Sequence, residues 1–128
     1  MPTYPTPVEM IRALVAEDTT SSRSNLTLIE MIEEFLNGLG VSSERITDKT
    51  GQKANLFATI GPDVPGGVVL SGHTDVVPVK GQSWDTNPFE LVERGGRLWG
   101  RGTADMKSFL GAVLAMTPEF LAAELKRP

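Results

Sequence analysis

Val68-Val69-Leu70, set between Gly66-Gly67 and Ser71-Gly72, is apolar on both faces of an extended chain. Side chains of a strand alternate from face to face, so a run without a polar position has no side to give to water. Such a run is expected as a central buried strand, covered above and below. A chain that contains one needs helices to cover it, and the flanking sequence supplies them.

Thr6 is placed to cap a helix, Pro7 suits its first position, and Glu9 completes a capping box. Val8, Ile11, Leu14 and Val15 then repeat at helical spacing as far as about Asp18. The polar run Thr19 to Ser24 reads as a loop. A second helix is expected from Asn25, with Leu28, Ile32, Phe35, Leu36 and Leu39 on one face and Gly40 as its stop. The period then changes. Val41 to Thr47 and Ala54 to Ile60 flank Asp48-Lys49-Thr50-Gly51 as an antiparallel pair, and Phe89 to Glu93 with Arg97 to Trp99 form a hairpin turning at Gly95-Gly96. A last helix covers Met106 to Met116, where Gly111, Ala112 and Ala115 would let it lie close against a sheet. Thr117-Pro118-Glu119 should restart or kink it. The class is α/β.

Composition removes several functions. With 128 residues the chain suits one modest domain with a real core, and no internal repeat or low-complexity tract divides it. Its net charge of −4 and the lack of a basic stripe argue against nucleic acid as a partner. No apolar stretch is long enough to span a bilayer, so no membrane role is expected. Met1-Pro2-Thr3-Tyr4-Pro5 lacks the basic and apolar runs of a signal peptide. There is no cysteine, which removes disulfides and thiolate-bound zinc and fits a cytoplasmic setting.

Two segments are polar where a fold alone would not ask for it. In Ser71-Gly72-His73-Thr74-Asp75-Val76-Val77-Pro78, His73 sits at the end of the expected central strand, the edge at which open sheets bind ligands. Imidazole is the commonest zinc ligand, and Asp75, two residues on, is placed to hold its second ring nitrogen. The plain alternative is a strand-end histidine beside an aspartate that makes a local turn. In Gly100-Arg101-Gly102-Thr103-Ala104-Asp105-Met106-Lys107, Asp105 stands at the start of the last helix. A carboxylate there can bridge two metal ions, or simply cap the helix. A phosphate-loop reading of Gly100-x-Gly102 lacks its third glycine, because Asp105 stands in that place and would repel phosphate.

Taken together, the segments resemble the acetylornithine deacetylase and succinyl-diaminopimelate desuccinylase family of two-zinc aminoacylases and peptidases. The resemblance rests on His73-Thr74-Asp75, on Gly100 to Lys107, and on the Trp84 and Pro88-Phe89 connection between them; it extends over nearly the whole chain. Val77-Pro78-Val79, Gly81-Gln82 and Trp84 are most similar to the acetylornithine deacetylase branch. The resemblance implies both a fold and a set of roles. Residues 1–128 would form the N-terminal portion of a three-layer α/β/α catalytic domain with a mixed sheet, without the family's dimerisation domain. His73 would bind one zinc, Asp75 would serve catalysis by orienting His73, and Asp105 would bridge both zincs, with Co able to substitute. The Asp105-Met106 peptide would be cis. Ser108 stands where the family commonly has Gly.

The family's Glu-Glu pair, its second histidine ligand and its substrate-carboxylate clamp are expected beyond Pro128, and His73 is the chain's single histidine. The substrate implied is an N-acyl amino acid: N2-acetyl-L-ornithine, hydrolysed to L-ornithine and acetate in arginine biosynthesis by a homodimer. The alternatives are a succinyl-diaminopimelate desuccinylase or related dipeptidase, and a non-catalytic α/β fragment. The chain alone is expected to be inactive. Other features read plainly. Phe35, Phe109 and the methionines have core spacing, and Glu30, Glu33 and Glu34 form a solvated helix face. Trp99 packs, and Lys107 either forms a salt bridge near the site or lies at the surface.

Overall fold

The computed structural model describes residues 2–128. The capping box forms as its residues dictate: Thr6 N–H donates to Glu9 Oε2 at 2.7 Å and Glu9 N–H to Thr6 Oγ1 at 3.2 Å. Helix α1 follows over Pro7–Ala16 and buries Met10, Ile11, Leu14 and Val15. It ends slightly short of Asp18, because Glu17 turns to extended backbone (φ −83°, ψ 116°). Helix α2, Leu26–Gly38, buries Leu28, Ile29, Ile32 and Leu36. Gly40 adopts φ 75°, which lets its N–H reach Asn37 O at 2.9 Å and the next N–H reach Leu36 O at 2.9 Å.

Strands β1 (Ser43–Thr47) and β2 (Ala54–Ala58) pair antiparallel with Ser43 opposite Ala58 and Thr47 opposite Ala54. Arg45 on β1 donates from Nε to both Glu33 oxygens at 3.0 and 3.1 Å, and lies 3.6 Å from Glu30. Part of the acidic face of α2 is therefore engaged in fixing this hairpin rather than merely solvated. Strands β3 (Val92–Arg94) and β4 (Arg97–Trp99) turn at Gly95-Gly96, both at positive φ. This hairpin begins after residue 91 because Asn87 ties down residues 89 and 90: Phe89 N–H donates to its side chain at 3.0 Å and Glu90 N–H to its carbonyl at 3.1 Å. A wide π-type turn, Thr103–Lys107, leads into α3, Ser108–Ala122.

The core lies among the three helices, where Met10, Leu14, Leu28, Ile29, Ile32, Leu36 and Leu114 meet Val41 and Ala54. The small residue Gly111 brings α3 against α1, not against a sheet: a Cβ on Gly111 would lie 2.5 Å from Ile11 Cγ1 and 3.0 Å from Ile11 N. Pro118 lies inside α3, which runs through it rather than restarting. Thr117, just before it, turns its hydroxyl back to Val113 O at 3.1 Å. Phe109, given a core place by its spacing, is half-exposed.

The largest departure is at residues 67–72, which take no strand conformation. Val68 and Val69 are 76% and 77% exposed. A strand is held by ladder hydrogen bonds, and the N–H of Val68 finds only Pro128 O, at 3.1 Å. Within the segment, Gly72 lies against Leu110 and Phe109 of α3 and against Met106. Among the described residues the sheets are two antiparallel pairs, and the one parallel contact is an isolated bridge between Thr20 and Val76.

Candidate metal centre

The two polar segments meet. His73 Nε2 lies 2.9 Å from Asp105 Oδ1, although thirty-two positions separate them in sequence. The other ring nitrogen, Nδ1, lies 3.0 Å from Asp75 O and 3.2 Å from Asp75 Oδ1. The ring is thus gripped on both nitrogens by groups that only accept. Partial burial draws its pKa down, but the hydrogen bonds to Asp75 and Asp105 outweigh that and hold the imidazole above its ordinary value. Asp105 projects into solvent, with its side chain 84% exposed. Together with Val76, Val77 and the 100–104 backbone, these three residues line a cleft of about 240 Å³.

Local sequence explains each placement. Gly102 turns the chain at φ 89°, and a Cβ there would lie 2.8 Å from Val76 Cγ1, so only glycine fits. Asp105 then sits in the π-type turn with non-helical backbone (φ −136°, ψ 94°), and its peptide bond to Met106 is cis. The helix-cap alternative is not realised, since no side-chain cap bond closes the start of α3. The His73 segment is fixed by Met106, whose sulfur lies 3.4 Å from the His73 N–H, and by the loop after α1. Val76 N–H donates to Thr19 O at 3.1 Å and Ser21 N–H to Val76 O at 3.0 Å. Thr19 Oγ1 donates to Thr74 O at 2.5 Å, and Ser21 Oγ to Asp75 Oδ2 at 3.2 Å. Asn25 holds Thr74 Oγ1 at 3.0 Å and Ala54 O at 2.9 Å.

The Trp84 and Pro88 connection has a physical role as well. Arg101 stacks on Trp84 with its guanidinium carbon 5.3 Å from the ring centroid, and both side chains bond to Gln82. Arg101 N–H donates to Pro88 O at 2.6 Å, which sets the chain direction just before Gly102.

Sequence reasoning missed four residues that build this site. Thr19 and Ser21 fall in what reads as an ordinary polar loop and Asn25 at the start of the second helix, and only their long-range partners distinguish them. Lys107 is neither exposed nor salt-bridged. Its side chain is fully buried, donating from Nζ to Leu14 O at 2.8 Å and Glu17 O at 2.7 Å. Burial pushes its pKa down to about 8. Trp99, expected to pack, lies at the surface, with Arg94 4.9 Å above its ring.

The donor set suits a borderline metal such as zinc: one imidazole nitrogen braced from behind and one largely exposed carboxylate. It is not a full set. Among the described residues no three His, Cys, Asp or Glu side chains are grouped to hold a metal ion. No helix of the described residues is long and apolar enough to cross a membrane.

His73, Asp75 and Asp105 thus meet at the mouth of one cleft, and the comparisons with known proteins bear on the segment that carries them. The family model for Peptidase family M20/M25/M40 matches residues 69–128, which include His73, Asp75 and Asp105. The match spans a little under half of the chain. Across its whole length the chain is similar to acetylornithine deacetylases. It is 38% identical to that of Pasteurella multocida over 135 residues, covering 100% of this chain and 35% of the relative. The relative from Proteus mirabilis is 37% identical, covering 97% and 34%. That from Shigella sonnei is 37% identical, covering 94% and 33%. The chain thus spans about a third of the length of the curated relatives it matches.

Proposed function

We propose that this chain carries one part of the active site of a metal-dependent amidohydrolase, with His73 and Asp105 as metal ligands and Asp75 as the residue that orients His73. The observation that carries the reading is the 2.9 Å contact between His73 Nε2 and Asp105 Oδ1. That contact brings together an imidazole nitrogen and a carboxylate oxygen that a cation would share. His73 would offer Nε2, while Asp75 keeps the Nδ1 proton and so fixes the tautomer and the ring's direction. Asp105, with its side chain 84% exposed, would bridge two zinc ions; cobalt suits the same donors. Zinc there supplies a Lewis acid for an amide carbonyl and lowers the pKa of water.

Residues 1–128 are then the N-terminal portion of the catalytic domain of a cytoplasmic homodimeric enzyme. Similarity to acetylornithine deacetylases supports one reaction: N2-acetyl-L-ornithine and water give L-ornithine and acetate, a step of arginine biosynthesis. The chain by itself supplies two donors where zinc takes about four, and among the described residues no three His, Cys, Asp or Glu side chains are grouped to hold a metal ion, so it is expected to be inactive alone.

Calorimetric titration with Zn²⁺ tests the ligand assignment. The chain should bind weakly, and His73→Ala and Asp105→Ala should each abolish the binding. Equal binding by all three proteins would reject the site. Hydrolysis of acetylornithine and of succinyl-diaminopimelate is assayed beside the Pasteurella multocida relative as control. Turnover by the short chain that vanishes in His73→Ala would overturn the claim that the site is partial.

A further inference from the structure

The two segments that carry the site scarcely hold each other. Between residues 72–76 and 102–107 the described hydrogen bonds are the His73–Asp105 side-chain contact and the His73 N–H to the Met106 sulfur. Both segments are fastened instead to one short stretch, the end of α1 and the residues after it. On one side Thr19 receives Val76 N–H through its carbonyl and donates its hydroxyl to Thr74 O. On the other, Lys107 donates from Nζ to Leu14 O and Glu17 O, while its backbone N–H reaches Gly102 O at 2.7 Å.

Packing alone does not call for a lysine in this place. An apolar chain would fill the space without the cost of burying an ammonium group. What the ammonium adds is direction. The negative end of the helix dipole lies here, and although Leu14 O accepts the Glu17 N–H at 3.3 Å and Glu17 O the Thr19 N–H at 3.0 Å, each carbonyl has a second lone pair to offer. Leu14 O and Glu17 O therefore offer Nζ a fixed seat, and the stiffly held stem fixes residue 107, two positions from Asp105. The stem also passes Gly102, where a Cβ would lie 3.2 Å from Lys107 Cδ and 2.8 Å from Val76 Cγ1. Thr19 is equally hidden, at 3% exposure, so its hydroxyl has no water to turn to.

We propose that Lys107 and Thr19 are positioning residues that set the separation of His73 and Asp105 from a single bracket, the exit of α1. Neither touches metal or substrate. The inference rests on the ligand roles proposed above, but the geometry it concerns can be measured without metal.

The experiment compares the chain with Thr19→Val, Thr19→Ser, Lys107→Met and a core control, Leu36→Ala. Three quantities are read: the thermal midpoint, NMR cross-relaxation between the His73 ring protons and the Asp105 β-protons, and affinity for Zn²⁺. Thr19→Val and Lys107→Met are expected to lose the cross-peak and to bind Zn²⁺ about 10–100-fold more weakly, as loss of outer supports does at metal sites. Thr19→Ser, which keeps the hydroxyl, retains both readouts. Leu36→Ala lowers the midpoint but retains both. If Lys107→Met fails to fold, the Thr19 pair decides. A folded Thr19→Val with an undiminished cross-peak overturns the bracket, as does a Leu36→Ala that loses the cross-peak equally. If the unaltered chain shows the cross-peak but takes up no Zn²⁺, the ligand reading fails while the bracket is still judged.

Discussion

Replacing Gly111 with alanine sets two effects against each other. Glycine in a helix interior costs about 1 kcal/mol relative to alanine, so helix propensity alone predicts that Gly111→Ala stabilises the protein. The packing predicts the opposite. The new Cβ would lie 2.5 Å from Ile11 Cγ1, 3.0 Å from Ile11 N and 3.1 Å from Ile11 Cα, whereas carbon atoms in contact prefer about 3.5–4.0 Å. The side-chain atom has little room to yield, because Ile11 is buried beside Val15 and Leu91. The backbone atoms belong to the middle of α1, so α1 and α3 must separate by about half an ångström along their whole contact. Overpacking of this kind costs about 1–3 kcal/mol, and more when backbone must move. Because backbone must move, the upper part of that range, about 2–3 kcal/mol, applies; with the propensity gain of about 1 kcal/mol subtracted, the net loss is about 1–2 kcal/mol, a fall in Tm of about 4–8 °C for a domain of this size. Calorimetric or circular-dichroism melting measures it, and in an Ile11→Ala background the same substitution should cost less, because the side-chain share of the clash is gone. A rise in Tm for Gly111→Ala would refute the close α1–α3 contact.

Local chemistry yields three further outcomes. Thr6→Ala removes the hydroxyl arm of the capping box, leaving the backbone N–H to Glu9 in place, and should cost about 1 kcal/mol, seen as a lower denaturant midpoint; an unchanged midpoint would deny the cap a role. Asp18 is drawn up by partial burial, but bonds from Thr20 and the nearby Arg23 guanidinium outweigh this and hold its carboxyl below the usual range. A depressed folded pKa stabilises the fold above the unfolded value near 4, and that contribution is lost as the pH falls through the folded value. Asp18→Asn should therefore weaken the protein at pH 7 and flatten its stability profile below about pH 4; parallel profiles for the two proteins would contradict this. Arg45→Gln breaks pairs with Glu33 and Glu30 that lie near the surface, so a loss of at most about 1 kcal/mol, shrinking in salt, is expected. A larger, salt-insensitive loss in urea unfolding would mean that the hairpin depends on this ion pair.

The helices and hairpins were legible because their signals are local. Thr6, Pro7 and Glu9 lie within one turn, and Gly95-Gly96 needs only its own positive φ. The site was legible through the resemblance. His73, Asp75 and Asp105 each had a plain alternative as residues, and only the motif pair joined them across the chain. What escaped depends on distant partners. Nothing in Gly100 to Lys107 tells that Lys107 turns inward to Leu14 O, or that Thr19 faces Thr74 O. Gly111 reads as a small residue without saying which element it admits. The apolar run at Val68 to Leu70 was read as a buried strand from its composition. Burial, however, is a property of neighbours, and here Val68 and Val69 are left largely exposed.

His73 is the single histidine, so its imidazole can be followed by long-range ¹H–¹⁵N correlation without assignment ambiguity. Titrating Zn²⁺ into the ¹⁵N-labelled chain should move the Nε2 resonance to a metal-bound position while Nδ1 stays protonated against Asp75, and Asp105→Ala should suppress the change. Ligation through Nδ1, or a ring spectrum indifferent to Zn²⁺, would contradict the reading of this cleft as part of a metal centre.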